Sequence, residues 1–332
     1  MQNVKIMGTG IYLPELVVTN GDLSQMMDTS DEWIQTRTGI STRHISRGET
    51  AWQMGVKAAR QALDAAGLTG KDIQAIIGTT ISPDFYYPSL ACVVSRELGA
   101  IQPLAVDLSA ACSGFVYGVD LARRYLMDDD IQNVLLVSSE VLSKQTDYTD
   151  RSTCILFGDG AGAMVLTKGE GLFASYLKSE NRGMEFLCSK AHPVTNPWAK
   201  DAPFDDFDGV YPHNQEPHLY MEGREVYKFA VKALPDALEH ACEKAGIAPQ
   251  ELDLIIPHQA NLRIIEGAMK RMKIDMSKVY HNIERYGNTS SASISIGIHE
   301  CLHAGILKKG HKVGLVGFGA GLTFAGCVLE IC

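Results

Sequence analysis

The sequence has no Cys-x-x-Cys pair, no long unbroken apolar run and no excess of positive charge. The first absence removes zinc ribbons and dithiol redox motifs from consideration. The second leaves no segment expected to cross a membrane as a helix, which takes roughly 20 apolar residues in succession. With 30 Lys and Arg against 39 Asp and Glu, the formal charge is −9, and such a chain is not expected to bind nucleic acid generally. The N-terminus, MQNVKIMGTG, lacks the basic start, apolar core and cleavage site of a signal peptide and reads as a first β-strand. The eight cysteines are scattered, which suits reduced thiols and a cytoplasmic setting. What remains is ordinary for a globular protein: 45% hydrophobic and 21% charged residues over 332 positions, enough for one large domain or two of usual size.

Against this plain background, residues 107–118 stand out: Asp-Leu-Ser-Ala-Ala-Cys-Ser-Gly-Phe-Val-Tyr-Gly. Cys112 lies between an extended apolar segment (103–108) and a helix-like run (113–125). A thiol at a helix N-terminus meets unpaired N–H groups and the positive end of the dipole, which favour the thiolate; cysteines so placed have pKa values of about 3.5–7.5. The small neighbours Ala110, Ala111, Ser113 and Gly114 give a substrate carbonyl room. A buried structural cysteine is the alternative.

The chain echoes itself. AAGLTGKDIQAII (65–77) matches KAGIAPQELDLII (244–256), with Gly67 falling on Gly246. The same offset pairs Leu136-Val137 with Leu315-Val316 and sets Cys112 opposite Ser291. One offset holding in three places predicts two halves of the same plan, divided as 1–172 and 173–332. Each half reads as helix, buried strand, helix, strand, which implies βαβ units and sheets covered on both faces: a layered α/β/α/β/α body. Pro235 is expected to kink or interrupt the helical run 224–244. Residues 192–219, with five of the twelve prolines and four aspartates, read as a long irregular loop, either covering a site or a solvated linker.

A catalytic thiol needs partners. His258 follows the strand-like LDLII, and strand C-termini are where α/β proteins place sites. Asn288 sits in a turn leading into a helix; a capping or turn role is the alternative for it. Gly317–Gly321 offers backbone N–H groups beside a site, or simply a tight turn. Together these segments resemble the β-ketoacyl-acyl-carrier-protein synthase III family of thiolase-like condensing enzymes. Seven motifs carry the resemblance in order: TSDEWIQTRTGISTRHI (29–45), YYPSLACVVSRELG (86–99), AACSGFVYG (110–118), FGDGAGAMVL (157–166), PHQANLRI (257–264), GNTSSAS (287–293) and GFGAGLTF (317–324).

The resemblance implies a thiolase-like, five-layered fold and a division of roles. Cys112 takes the primer acyl group from an acyl-CoA. His258 and Asn288 hold the malonyl thioester as it loses CO₂. The backbone N–H groups of Cys112 and Ala320 form the second oxyanion hole; many relatives have Gly where Ala320 stands, so Ala serves only if φ there is not positive. Trp33 and Arg151 are implied to sandwich the coenzyme A adenine, with Arg37 near its phosphates and Asn261 on the pantetheine arm. Lys228, Arg263, Lys270 and Arg271 are implied to dock an acidic acyl carrier protein. Phe157 and Tyr87 are implied to bound the acyl pocket, Tyr87 from the other subunit of a homodimer, which predicts a short primer. Neither cofactor nor metal is implied.

Two motifs are set aside. His299-Glu-Cys-Leu-His303 fits a zinc-protease pattern but has no clear third ligand. Gly158–Ala163 fits G-x-G-x-x-A, but AMVLTKG after it reads as a strand, where a dinucleotide site needs a helix. The absence of a Glu near Cys112 in sequence counts against a hydroxymethylglutaryl-CoA synthase. An acyltransferase or ketosynthase of secondary metabolism, and a non-catalytic partner subunit, are the competing functions; the latter kind usually lacks part of the triad.

Overall fold

The central strands are apolar on both faces because both faces are covered. The computed structural model describes residues 2–190 and 218–332; most of the proline-rich 192–219 segment lies outside the described residues. Strands β1 (Gln2–Tyr12), β2 (Ala75–Thr79), β3 (Leu104–Leu108), β4 (Asn133–Glu140) and β5 (Gly160–Glu170) form one sheet in the order β1-β5-β4-β2-β3. Strand β2 runs parallel to β3 and β4. A second sheet has the order β7-β8-β9-β6, from β6 (Phe173–Ser179), β7 (Leu254–Pro257), β8 (Lys312–Gly319) and β9 (Thr323–Glu330), with β7 and β8 parallel. The chain passes from one sheet to the other at Gly171–Leu172.

Among the described residues, seven longer helices complete the layers: α1 (Asp31–Thr38), α2 (Ala51–Ala66), α3 (Leu90–Leu98), α4 (Gly114–Tyr125), α5 (Gly223–Ala245), α6 (Leu262–Met272) and α7 (Ala292–His303). In β4, Val134 and Leu136 point to the middle of the molecule while Leu135 and Val137 point outward, the period-2 alternation of a strand. The outward set packs on α2 and α3 through Ala58, Ala59, Ala62 and Val94. The inward set meets Phe115, Val116 and Val119 of α4 and Ile294 and Ile298 of α7, which also pack on Leu254, Ile256 and Leu315 of the second sheet. Helices α5 and α6 cover that sheet's far face. The sequence of layers is α/β/α/β/α.

The constant offset is carried into three dimensions. It maps β4 onto β8 end to end and β2 onto β7. It also maps the left-handed C-cap glycine of α2, Gly67 at φ 68°, onto that of α5, Gly246 at φ 73°. The repeat is imperfect at the edge: where the first sheet has all of β3, the second has one bridge between Ile255 and Val279. Pro235 does not interrupt α5, which is helical throughout. The proline deletes one backbone hydrogen bond, but Ala230, Leu234, Ala237, Leu238 and Ala241 are buried on either side of it and hold the axis against the sheet. Among the described residues, no helix is long and apolar enough to cross a membrane.

Candidate active site

Central helices α4 and α7 start side by side. Both are entered through a sharp turn in which a residue other than glycine takes positive φ: Ala111 at 46° before Cys112 and Ser290 at 49° before Ser291. Such backbone is rare and is sustained only by its surroundings. Around Cys112 the surroundings include Gly319 at the end of β8: a Cβ there would lie 2.5 Å from Cys112 N and 2.8 Å from Ala111 Cβ. Only glycine lets β8 come this close to the backbone N–H of Cys112.

A cavity of about 1460 Å³ opens over this turn. Cys112, His258, Asn288, Ala320 and Phe157 all line it, although they come from both halves of the chain. His258 leaves the end of β7 with its backbone N–H bonded to Val316 at 2.8 Å. Asn288 is fixed between Leu156 and Gly158 by two backbone hydrogen bonds of 2.8 and 3.0 Å. Ala320 is not among the residues with positive φ, so its side chain imposes no strain at that position.

The hydrogen bonds dictate which atoms face the cavity. Asn288 Oδ1 accepts from Ser290 N–H at 2.8 Å; a backbone N–H can only donate, so the amide nitrogen of Asn288 is the end left for a ligand. His258 Nδ1 lies 2.8 Å from Ser293 Oγ, and that oxygen accepts from Gln259 N–H at 3.3 Å. The Gln259 N–H fills one of the two lone pairs of that oxygen, which suits the tautomer in which the Ser293 hydroxyl donates to Nδ1 and the ring proton lies on Nε2. Burial lowers the His258 pKa to about 3, so the imidazole is neutral at pH 7 and presents an N–H. The side chains of His258 and Asn288 are thus two donors on one cavity.

The thiol departs from the sequence expectation. Cys112 lies in a turn of 3₁₀ helix (Ala111–Ser113) ahead of α4, but burial drives its pKa up to about 12, outweighing the pull of Ser290, and the Glu140 charge adds to the rise. Desolvation of the anion exceeds what the helix end supplies. No glutamate lies near Cys112 in sequence, but the end of β4 brings Glu140 close enough in space to act on the thiol. Sequence analysis missed Glu140, Ser290 and Ser293. A carboxylate closing the apolar run NVLLVSSE, and four hydroxyl residues in a row of five at 289–293, were the signals present.

The other expected residues divide by place. Trp33, Arg37, Asn261, Lys228 and Arg263 line the cavity; Arg151, Tyr87, Lys270 and Arg271 do not. Arg151 and Arg37 each lie 4.7 Å from the centre of the Trp33 ring, within cation–π range. A base inserted between Trp33 and Arg151 has to displace the guanidinium, which is held by a 2.7 Å bond to Asp28 O. Asn261 caps α6 through Arg263 N–H at 2.9 Å and reaches Arg37 O at 3.0 Å, so its amide already joins α6 to α1. Tyr87 is 88% exposed. Lys270 and Arg271 stand about two helical turns beyond Arg263 on α6. The His-Glu-x-x-His residues lie on α7, where His299 Nδ1 bonds Thr9 Oγ1 at 2.9 Å; among the described residues no three His, Cys, Asp or Glu gather as metal ligands. The Gly158–Ala163 segment runs into β5, not into a helix.

Comparison with known proteins agrees with the geometry. Models described as 3-oxoacyl-[acyl-carrier-protein] synthase III and its C-terminal part match residues 106–181 and 242–331. A β-ketoacyl-[acyl-carrier-protein] synthase III of Clostridium beijerinckii is 44% identical over 99% of this chain and 100% of its own. The chain belongs to the β-ketoacyl-acyl-carrier-protein synthase III family. Crystal structures of the Aquifex aeolicus and Thermus thermophilus members superpose with TM-scores of 0.89 and 0.90 at 41% and 39% identity. These cover 98% and 99% of this chain and 99% of each of theirs. The five-layered architecture is thus the family's thiolase-like fold.

Proposed function

We propose that this member of the family condenses an acyl-CoA primer with malonyl-acyl-carrier-protein through an acyl-Cys112 intermediate. It is an acyltransferase that begins fatty-acid synthesis, with the primer and the malonyl thioester as substrates and no resident cofactor. The observation that supports this reading is that His258 and Asn288 line the cavity of Cys112, with Ser293 on His258 Nδ1 and the Ser290 N–H on Asn288 Oδ1, which leaves Nε2 and Nδ2 as the donors of the pair.

The chemistry follows from those atoms. In the first step Cys112 sulfur attacks the primer carbonyl, and the tetrahedral oxyanion is held by the backbone N–H groups of Cys112 and Ala320. The coenzyme A thiol leaves. In the second, the malonyl thioester oxygen sits between His258 and Asn288. Loss of CO₂ puts negative charge on that oxygen, where two fixed donors in a buried site stabilise it by about 10²–10³ in rate apiece. The enolate carbon then attacks acyl-Cys112, the new C–C bond forms, and the Cys112 thiolate leaves.

Around this centre, Trp33, Arg37, Arg151 and Asn261 form the coenzyme A approach, with Arg151 swinging off the indole to admit the adenine. Lys228 and Arg263 at the cavity mouth, with Lys270 and Arg271 along α6, offer an acidic carrier protein a basic face. Strand β3 is one of the two edges of the first sheet, and Phe85, Tyr86, Tyr87, Ile101 and Leu104 are exposed. An edge strand beside exposed apolar groups favours a homodimer in which Tyr87 closes the partner's acyl pocket beside Phe157 and limits the primer to short chains. The halves divide at 172/173, and the enzyme acts in the cytoplasm. The test is mass mapping of Cys112 after exposure to a panel of acyl-CoA primers, followed by assay with malonyl-acyl-carrier-protein. Acetyl-CoA acylates Cys112 faster than decanoyl-CoA on this reading; absence of any acyl-Cys112 sinks it.

A further inference from the structure

Formation of acyl-Cys112 raises a question about a proton. The sulfur needs to lose one to attack, and in the tautomer with hydrogen on Nε2 His258 offers no acceptor, since Nδ1 meets Ser293 Oγ. Glu140 is the other titratable group acting on the thiol. Its carboxyl is fully buried at the end of β4. One oxygen, Oε2, accepts from Ile81 N–H at 3.0 Å, Ser82 Oγ at 2.8 Å and Thr80 Oγ1 at 3.1 Å. The other accepts from Ser291 Oγ at 2.8 Å. Between this carboxyl and Cys112 stands Ser290. Its hydroxyl is buried, bears on the titration of both groups, and makes no hydrogen bond of ordinary geometry. A buried polar atom without a partner is rare and asks for a reason.

We propose that Glu140 takes and returns the Cys112 proton through the Ser290 hydroxyl. As the sulfur attacks the thioester carbonyl, its proton passes to Ser290 Oγ while the serine's own proton passes to Glu140. The S–C bond to Cys112 forms, the bond to the coenzyme A sulfur breaks with its electron pair staying on that sulfur, and the proton returns from Glu140 by the same path to yield the free thiol. The buried site holds one negative charge throughout, first on carboxylate, then on sulfur, then on carboxylate again. This avoids creating a new charge in a place that penalises one. Burial raises the pKa of both groups, the Glu140 carboxyl as well as the thiol, and the Glu140 charge raises that of the thiol further. The groups around them from the β2–α3 loop (Thr80, Ile81, Ser82) and from the turn before α7 (Ser290, Ser291) are uncharged, and across the cavity His258 is neutral.

The inference rests on the acyl-transfer reading, and its test separates the two. Single-turnover acylation of Cys112 by acetyl-CoA is followed by mass spectrometry from pH 5.5 to 9, in H₂O and D₂O, for the full chain and for Ser290→Ala and Glu140→Gln. Each variant is expected to acylate about 10²-fold more slowly, the double variant no more slowly than either single one, and the solvent isotope effect to shrink. Decarboxylation of malonyl-acyl-carrier-protein, which uses His258 and Asn288, stays within about twofold. Variants that acylate at the parent rate overturn the relay, as does decarboxylation falling as far as acylation, which marks a merely structural role. Should the parent chain resist acetyl-CoA, the functional reading fails, and iodoacetamide decides the relay alone: equal rates of Cys112 alkylation in parent and Ser290→Ala overturn it.

Discussion

The two turns that begin the central helices share a backbone and differ in every side chain that matters. At the offset that relates the halves, Ala111 corresponds to Ser290 and Cys112 to Ser291, and Ala111 and Ser290 hold nearly the same positive φ, 46° and 49°. Thr79 corresponds to His258, and Glu140 to Gly319. In the first half the turn carries Cys112 into the cavity. In the second, Ser291 is bonded to Thr79 and Glu140 and stays out of the cavity lining. The exchange is reciprocal: Glu140 of the first half engages the second half's turn, and Gly319 of the second half makes room for the first half's. Duplication supplied two equivalent sites, and the chemistry is divided between them.

Erasing the difference at the sulfur has the largest expected effect. Cys112→Ser makes both turns end in serine, and primer acylation falls on the order of 10³-fold or more, read as loss of acyl-enzyme by mass spectrometry. Next come the donors. Asn288→Asp puts an acceptor where the structure demands an N–H, and His258→Ala removes the other; each lowers malonyl decarboxylation by about 10²–10³-fold, with Cys112 still acylated by the primer. Gly319→Ala pushes the halves apart where they interlock. Its Cβ meets Cys112 N at 2.5 Å, so unfolding free energy falls by about 1–3 kcal/mol and a denaturant titration shows a lower midpoint. The smallest effect is on pH dependence. His258 stays neutral down to about pH 3 but ionises near pH 6.5 once unfolded. Below that pH the unfolded chain binds the extra proton, so stability declines with falling pH between roughly 6.5 and 3. Cys112 acts in the opposite direction. It stays protonated up to about pH 12 when folded, so stability declines above about pH 8.5, where the unfolded thiol ionises. Unfolding midpoints measured from pH 4 to 10 check both limbs, and His258→Ala and Cys112→Ser each flatten one.

The same comparison separates what was legible from what was not. The strand cores around Ile76 and Leu136 were legible, because burial on both faces writes an unbroken apolar run. The duplication was legible because helix caps such as Gly67 and Gly246 and strand cores recur at a fixed spacing. That Cys112, His258 and Asn288 meet on one cavity was legible through the motifs around them. The state of Cys112 was not: a helix N-terminus favours the thiolate, but the depth of the cavity floor, which reverses the shift, belongs to no local segment. Nor was Glu140, whose nearness to the thiol depends on how β4 ends beside two turns contributed by residues 108–113 and 287–292. Pro235 shows the same limit in a helix, where packing on both sides outweighs one lost hydrogen bond.

By itself, then, the sequence determined the layered α/β plan, its internal repeat and the side chains available for acyl chemistry, since apolar period, capping residues and short motifs are local properties. Only the tertiary structure decided the protonation of the thiol, the direction in which the imidazole and amide donate, and the carboxyl and hydroxyl that stand behind the sulfur. Those depend on burial and on hydrogen bonds between residues far apart in the chain, and neither exists until the two halves pack.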